Sequence, residues 1–246
     1  MSIFARNPNV PFSRSNPVST ILITLITAVY LLQLTPLDNV IRQYGALQGH
    51  LVIFEGQWWR IFTVMFLHGN IMHFAFNTFF GIYVISAALE RIVGPIKFLV
   101  FFLGGGIIAS FAVVAWDIAM ENLVPTIGAS GAIFAVLGVL LYLILNKAEW
   151  FSQSDASSIK AFVAINVVFT FLGANISIPG HIGGLIAGYL LAALLPTERM
   201  GGSRRSSDFN DPFEKHYIDP ASLDEVDVVD EDDDEDDDPF KDYPNW

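Results

Sequence analysis

The 246-residue sequence contains no cysteine. That excludes disulfides and thiolate-held metals within the chain and leaves its redox compartment unmarked. Charge is also scarce: 15% of residues are charged against 53% hydrophobic, with a mean hydropathy of +0.49. A soluble domain of this length needs more charge, so composition predicts a polytopic membrane protein. No basic cluster is dense enough to make a nucleic-acid face. From Ala161 to Thr197 there is no Asp, Glu, Lys or Arg at all.

The charge that is present is sorted along the chain. Residues 1–199 carry nine Lys/Arg and eight Asp/Glu, a balance of +1, whereas residues 200–246 carry four and 17, a balance of −13. This divides the chain into an N-terminal segment at 1–17, a membrane domain at 18–197 and an acidic tail at 198–246. The tail ends in DEDDDEDDDPFKDYPNW and is expected to be disordered, because it buries too little apolar area to offset the entropy of ordering. Residues 1–16 lack an amphipathic transit pattern. The first apolar run, Val18–Leu34, lacks an A-x-A-like cleavage site and reads as a retained span.

A transmembrane helix needs about 20 mostly apolar residues. Six segments meet that demand, at roughly 18–35, 71–90, 96–116, 127–146, 160–176 and 180–196, giving an all-α, six-helix bundle. GANISIPG at 173–180 reads as the turn between the last two. Region 36–70 is a long connection with amphipathic pieces. It holds Trp58, Trp59 and Arg60 together, a set suited to a structured loop lying in the membrane interface. Arg6, Arg14, Arg91, Lys97, Lys147, Lys160, Arg199, Arg204 and Arg205 fall on one side of six spans, and only Arg42 and Arg60 on the other. By the positive-inside rule both termini are cytoplasmic.

Polar groups within a bilayer are costly and mark function. Ser130 lies in PTIGASGAIFAVLG, just after Pro125 and Gly128, and is expected in the first turn of the fourth helix. There, unpaired backbone N–H groups suit a developing oxyanion. A serine in a membrane helix is also a common packing residue. Gly131, Ala135 and Gly138 form a small-residue stripe beside it. His181 opens PGHIGGLIAGYLLAAL, where it shares a face with Gly184 and Gly188 in a helix built for close approach. A lone histidine at a helix start is more often an interfacial cap, but because helices four and six begin on one side it can also meet Ser130 as a base. With the span edges above, no carboxylate lies in helices four to six, so a serine–histidine dyad is the natural arrangement. Packing must then fix the tautomer that an Asp fixes in soluble enzymes. His73 and Asn77 stand at i, i+4 on helix two, as an interhelical hydrogen-bonding pair or as oxyanion donors. His68, His73 and His181 have no carboxylate or cysteine beside them, so no metal site is read.

The ordered set resembles the rhomboid family of intramembrane serine proteases. GQWWRIFTVMFLHGNIMHFAFN at 56–77 is similar to that family's Trp-Arg loop and H-x-x-x-N motif, GASG at 128–131 to its G-x-S-G motif, and HIGGLIAG at 181–188 to its histidine helix. The resemblance implies a serine-type endopeptidase that cleaves the transmembrane segments of single-span substrates within the lipid bilayer. It implies Ser130 as nucleophile and His181 as general base and acid. His73, Asn77 and the Ser130 N–H would form the oxyanion site, and Gly128, Gly131, Phe134, Gly184 and Gly188 would support it. It also implies a cap over the site at about 174–179 and a structural role for Glu90. Phe134 stands where some members have a tyrosine, which leaves stacking on His181 but removes a hydroxyl. No cofactor is implied, nothing sets the oligomeric state, and the expected location is the plasma membrane. Two rival readings remain: a rhomboid-like protein that binds membrane helices without cutting, and a transporter or channel, which would favour internal repeats and charged midplane residues.

Overall fold

The computed structural model describes residues 4, 8–173 and 176–197. The acidic tail expected at 198–246 lies outside them. Among the described residues the architecture is all-α, and the β pairing is a single antiparallel bridge between Leu47 and Thr126 (2.9 and 2.8 Å). Six apolar helices make the bundle: α1 (Pro17–Gln33), α2 (Ile71–Val93), α3 (Pro95–Ala119), α4 (Ser130–Asn146), α5 (Gln153–Leu172) and α6 (Ile178–Leu194). By length and hydropathy α2, α3 and α5 are each sufficient to cross a bilayer, with 23, 25 and 20 residues. The other three have 17 residues each, about 25 Å at 1.5 Å per residue.

Local sequence sets these boundaries. Pro17 and Pro95 open α1 and α3, where a missing N–H is not felt. Gly94 takes φ +84° between α2 and α3, a conformation that other residues adopt only under strain. Asn70, Ser152 and Ser177 cap α2, α5 and α6 with side-chain oxygens. The middle of α2, Phe76–Ser86, widens into a π-helical stretch, a geometry frequent near functional sites.

Every residue of α4 from Ala132 to Leu140 is buried, so this uniformly apolar helix is the axis of the bundle. Glycines let its neighbours approach. A methyl on Gly188 or Gly184 of α6 would overlap the Ala135 or Gly131 carbonyl, and one on Gly105 of α3 would overlap the Ala135 side chain. Apolar side chains instead cover the outside, among them Phe79, Phe111, Phe169 and Leu190. An apolar exterior around an apolar core is stable in lipid, not in water.

Several boundaries differ from those expected. Helix α5 starts at Gln153, not near 160, and so includes buried Asp155 in its first turn. The expectation of no carboxylate in helices four to six therefore fails, although Asp155 sits at the opposite end of α5 from its His181-facing residues. Helix α4 starts at Ser130 rather than 127, and α3 extends to Ala119. Its Asp117 carboxylate accepts from the Gly49 N–H (2.9 Å) and Asn122 Nδ2 (2.7 Å), tying down loops at that end.

The 36–70 connection folds into short helices Asp38–Gly45, Gly49–Phe54 and Arg60–Thr63. Trp58 and Trp59 are about half exposed, as an interfacial loop requires, but Arg60 is not: it is 2% exposed. Its guanidinium donates to the Ala46 carbonyl (2.5 Å), the Gln43 carbonyl (2.7 Å) and Gln57 Oε1 (2.7 Å). A planar five-donor group satisfies several buried carbonyls at once, so Arg60 is an internal strut. Glu90, expected to be structural, caps a helix. Its carboxylate accepts from the N–H groups of Val18 (2.8 Å) and Ser19 (2.9 Å) and from the Ser19 hydroxyl (2.6 Å), at the positive end of α1.

Candidate active site

Ser130 is the first residue of α4, and the preceding Ala129 provides no side-chain cap. The first-turn N–H groups are thus left without a side-chain partner and present a positive end. Gly128 has φ +127°, and a Cβ there would come 2.7 Å from His73 Nε2 and 3.7 Å from Ser130 Oγ. Only a glycine lets the chain turn into α4 while the His73 ring lies against it.

His73 is placed by Asn70, whose side chain accepts from the His73 N–H at 2.9 Å. The Gly69 N–H points at His73 Nδ1 from 3.4 Å. A ring nitrogen that accepts at Nδ1 carries its proton on Nε2, so the nitrogen facing Gly128 is a donor. Asn77, 6% exposed, gives one of its two amide hydrogens to the His73 carbonyl (2.8 Å). One turn further along α2, Gly81 packs against Ile133, one turn into α4. Asn77 therefore stands level with the start of α4. His68 lies just outside α2, fully buried and edge-on to His73 (ring centroids 5.1 Å apart). Burial first, and the neighbouring His73 second, lower its pKa to about 3.

His181 lies in the first turn of α6, 9% exposed. Its ring stacks on Phe134, one turn below Ser130, with centroids 4.0 Å apart and planes 16° from parallel. Gly131 and Gly184 touch at the same level. The sequence-derived set Ser130, His73, Asn77, Gly128, Gly131, Phe134, His181 and Gly184 thus collects at one end of the bundle. Gly188 lies a turn deeper, against Ala135. The dyad contact itself is open: among the described residues, Ser130 Oγ makes no hydrogen bond, and the hydrogen bond of the His181 ring is at Nδ1. Part of the expected cap, 174–175, lies outside the described residues.

Two features were not anticipated. The partner of His181 Nδ1 is Thr170 on α5, at 2.9 Å and buried. The available signal was the polar pair Asn166 and Thr170 at i, i+4 in a charge-free stretch. A cavity of ≈ 730 Å³ opens among loop residues including Arg42, Arg60, Pro125 and Ile127. It adjoins the approach to α4 but is lined by neither Ser130 nor His181.

Comparison with known proteins shows the family to which the chain belongs. Residues 55–198 match the Rhomboid domain. The chain is 39% identical over 158 residues to "Rhomboid protease GluP" of Bacillus subtilis (strain 168), covering 64% of this chain but only 30% of that protein. It is 32% identical over 194 residues to "Putative rhomboid protease YdcA" of the same organism, covering 78% of this chain and 96% of that one. "Rhomboid-like protease 1" of Toxoplasma gondii is 30% identical over 171 residues, 68% and 57% of the two chains. This integral membrane protein belongs to the rhomboid family.

Proposed function

We propose that the chain is an intramembrane serine endopeptidase that cleaves transmembrane segments of single-span proteins with Ser130 and His181. The observation that carries this reading is the convergence of two helix starts. Ser130 heads α4, and the imidazole of His181 lies on Phe134 one turn below it. As Ser130 Oγ bonds to the scissile carbonyl carbon, its proton passes to His181 Nε2, which later returns it to the leaving amine. The carbonyl oxygen becomes an oxyanion facing the Ser130 N–H, His73 Nε2–H and the second amide hydrogen of Asn77. The open Ser130–His181 contact is consistent with a resting enzyme, since catalytic hydrogen bonds often tighten only with substrate bound.

Names of relatives that include "protease" support the reaction class. The domain layout goes with it: an N-terminal segment at 1–17, a six-span membrane domain at 18–197 and a cytoplasmic acidic tail at 198–246. Both termini face the cytoplasm of a plasma membrane, so the site opens outward. The test is cleavage of a tagged single-span substrate by the purified chain in liposomes. Wild type should cut, and Ser130→Ala and His181→Ala should each lose about a thousandfold or more. Cleavage by Ser130→Ala would sink the mechanism. Silence of all three, with no labelling of Ser130 by a serine-directed phosphonate, would favour the non-cutting helix binder.

A further inference from the structure

A stacked imidazole is held in plane but can still turn within that plane, and its single proton can sit on either nitrogen. His181 has Phe134 for the plane. Rotation and tautomer need a second contact, and Thr170 makes it. The Thr170 hydroxyl is 1% exposed by residue and has one hydrogen to give. Its Oγ1 lies 2.8 Å from the Asn166 carbonyl oxygen, which can only accept, so the hydrogen is committed there. This back-bond is a habit of threonine in helices. The same Oγ1 lies 2.9 Å from His181 Nδ1. With its hydrogen given to Asn166, the oxygen is free to accept from an Nδ1–H of the ring, an arrangement that leaves Nε2 as a lone pair.

We propose that Thr170 is the positioning residue of the dyad: its hydroxyl oxygen fixes His181 as the Nδ1–H tautomer and so leaves Nε2 to take the Ser130 proton. This rests on the dyad reading above. In serine–histidine–aspartate enzymes one carboxylate both sets the tautomer and stabilises the imidazolium. A neutral hydroxyl supplies only the first, without placing a charge in the bilayer. It also makes α5 part of the site, because Thr170 is where that helix bonds to the base.

The experiment compares wild type, Thr170→Val and Thr170→Ser in the full chain. It reads kcat and KM for the test substrate, together with ¹⁵N NMR of histidine-labelled protein, with the His181 signals assigned by their loss in His181→Ala. Wild type should show Nδ1 protonated and Nε2 bare. Thr170→Val should show mixed tautomers and a kcat lower by about tenfold or more, with KM changed about twofold at most. That loss is well short of the ~10⁴ seen when the triad aspartate becomes an amide. Thr170→Ser should restore both readouts. A wild-type ring protonated on Nε2, or Thr170→Val with unchanged tautomer and kcat, overturns the proposal. Should Thr170→Val fail to fold, the wild-type and Thr170→Ser tautomers decide it. Cleavage by Ser130→Ala would defeat the dyad reading, while the tautomer readout would still judge Thr170 separately.

Discussion

Helices α3 and α5 have similar lengths but opposite situations. Half of the most apolar window of α3 is buried within the protein, against 22% for α5. Helix α3 meets α4 through Gly105 and Gly106, where added methyls would run into Ala135 and Ala132, and α6 meets α4 at Gly184 and Gly188. Helix α5 turns Val168, Phe169, Phe171 and Leu172 outward, each more than half exposed. In lipid no hydrophobic gain drives helices together, so association depends on close backbone contact and interhelical hydrogen bonds. The α3–α4–α6 core relies on the first. Near the site, α5 depends on the second, through Thr170.

Filling a glycine contact in the core should therefore have the largest effect. Gly188→Val places a branched side chain where a single methyl would already overlap the Ala135 carbonyl, and backbone cannot yield as a side-chain tip can. Overpacking of cores costs about 1–3 kcal/mol, and a clash with main chain belongs at or above the top of that range. Thermal or denaturant unfolding in detergent should show a large loss of stability, with activity falling in parallel. A Gly188→Val protein as stable as wild type would mean that α4 and α6 are not held at this spacing.

Next comes Phe134, where the core meets the site. Phe134→Ala removes a buried ring, at about 3–5 kcal/mol for a large-to-small change, and also the surface on which His181 lies. Phe134→Tyr keeps the ring. The alanine variant should lose both stability and kcat, whereas tyrosine should keep most of each. Equal kcat in all three would mean that the stack does not orient the base.

The contrast between the two regions also explains what could be read from sequence. Glycine spacing in α6 and the G-x-S-G start of α4 announce a tight pair, because small residues at fixed intervals do one thing in a membrane helix. His73 and Asn77 could be placed on one face by their i, i+4 spacing. The burial of Arg60 was not foreseen because its partners, the Ala46 and Gln43 carbonyls, are main-chain atoms of a loop whose path no local pattern predicts. The start of α5 was set too late because Gln153–Ser158 is polar. Hydropathy sees where lipid contact begins, whereas the helix begins at the Ser152 cap. Thr170 was missed because a threonine in an apolar helix has an ordinary use, its back-bond to Asn166. Its second contact exists only once α6 folds beside it.

The smallest expected effect lies on the outer face of α5. Phe169 is 61% exposed, while Ile159 on the same helix is fully buried. Replacing the outward ring leaves lipid to fill the space, so Phe169→Ala should shift stability by no more than about 0.5 kcal/mol, as surface changes usually do. Ile159→Ala opens a hole against neighbouring side chains and should cost about 2–5 kcal/mol. Unfolding of the two variants side by side in the same detergent measures the difference. If Phe169→Ala costs as much as Ile159→Ala, α5 is packed on both faces and the contrast with α3 disappears. If it costs nothing, the helix that bonds to His181 is held on its inner face alone. Movements of α5 in the bilayer would then reach His181 through the Thr170 hydroxyl.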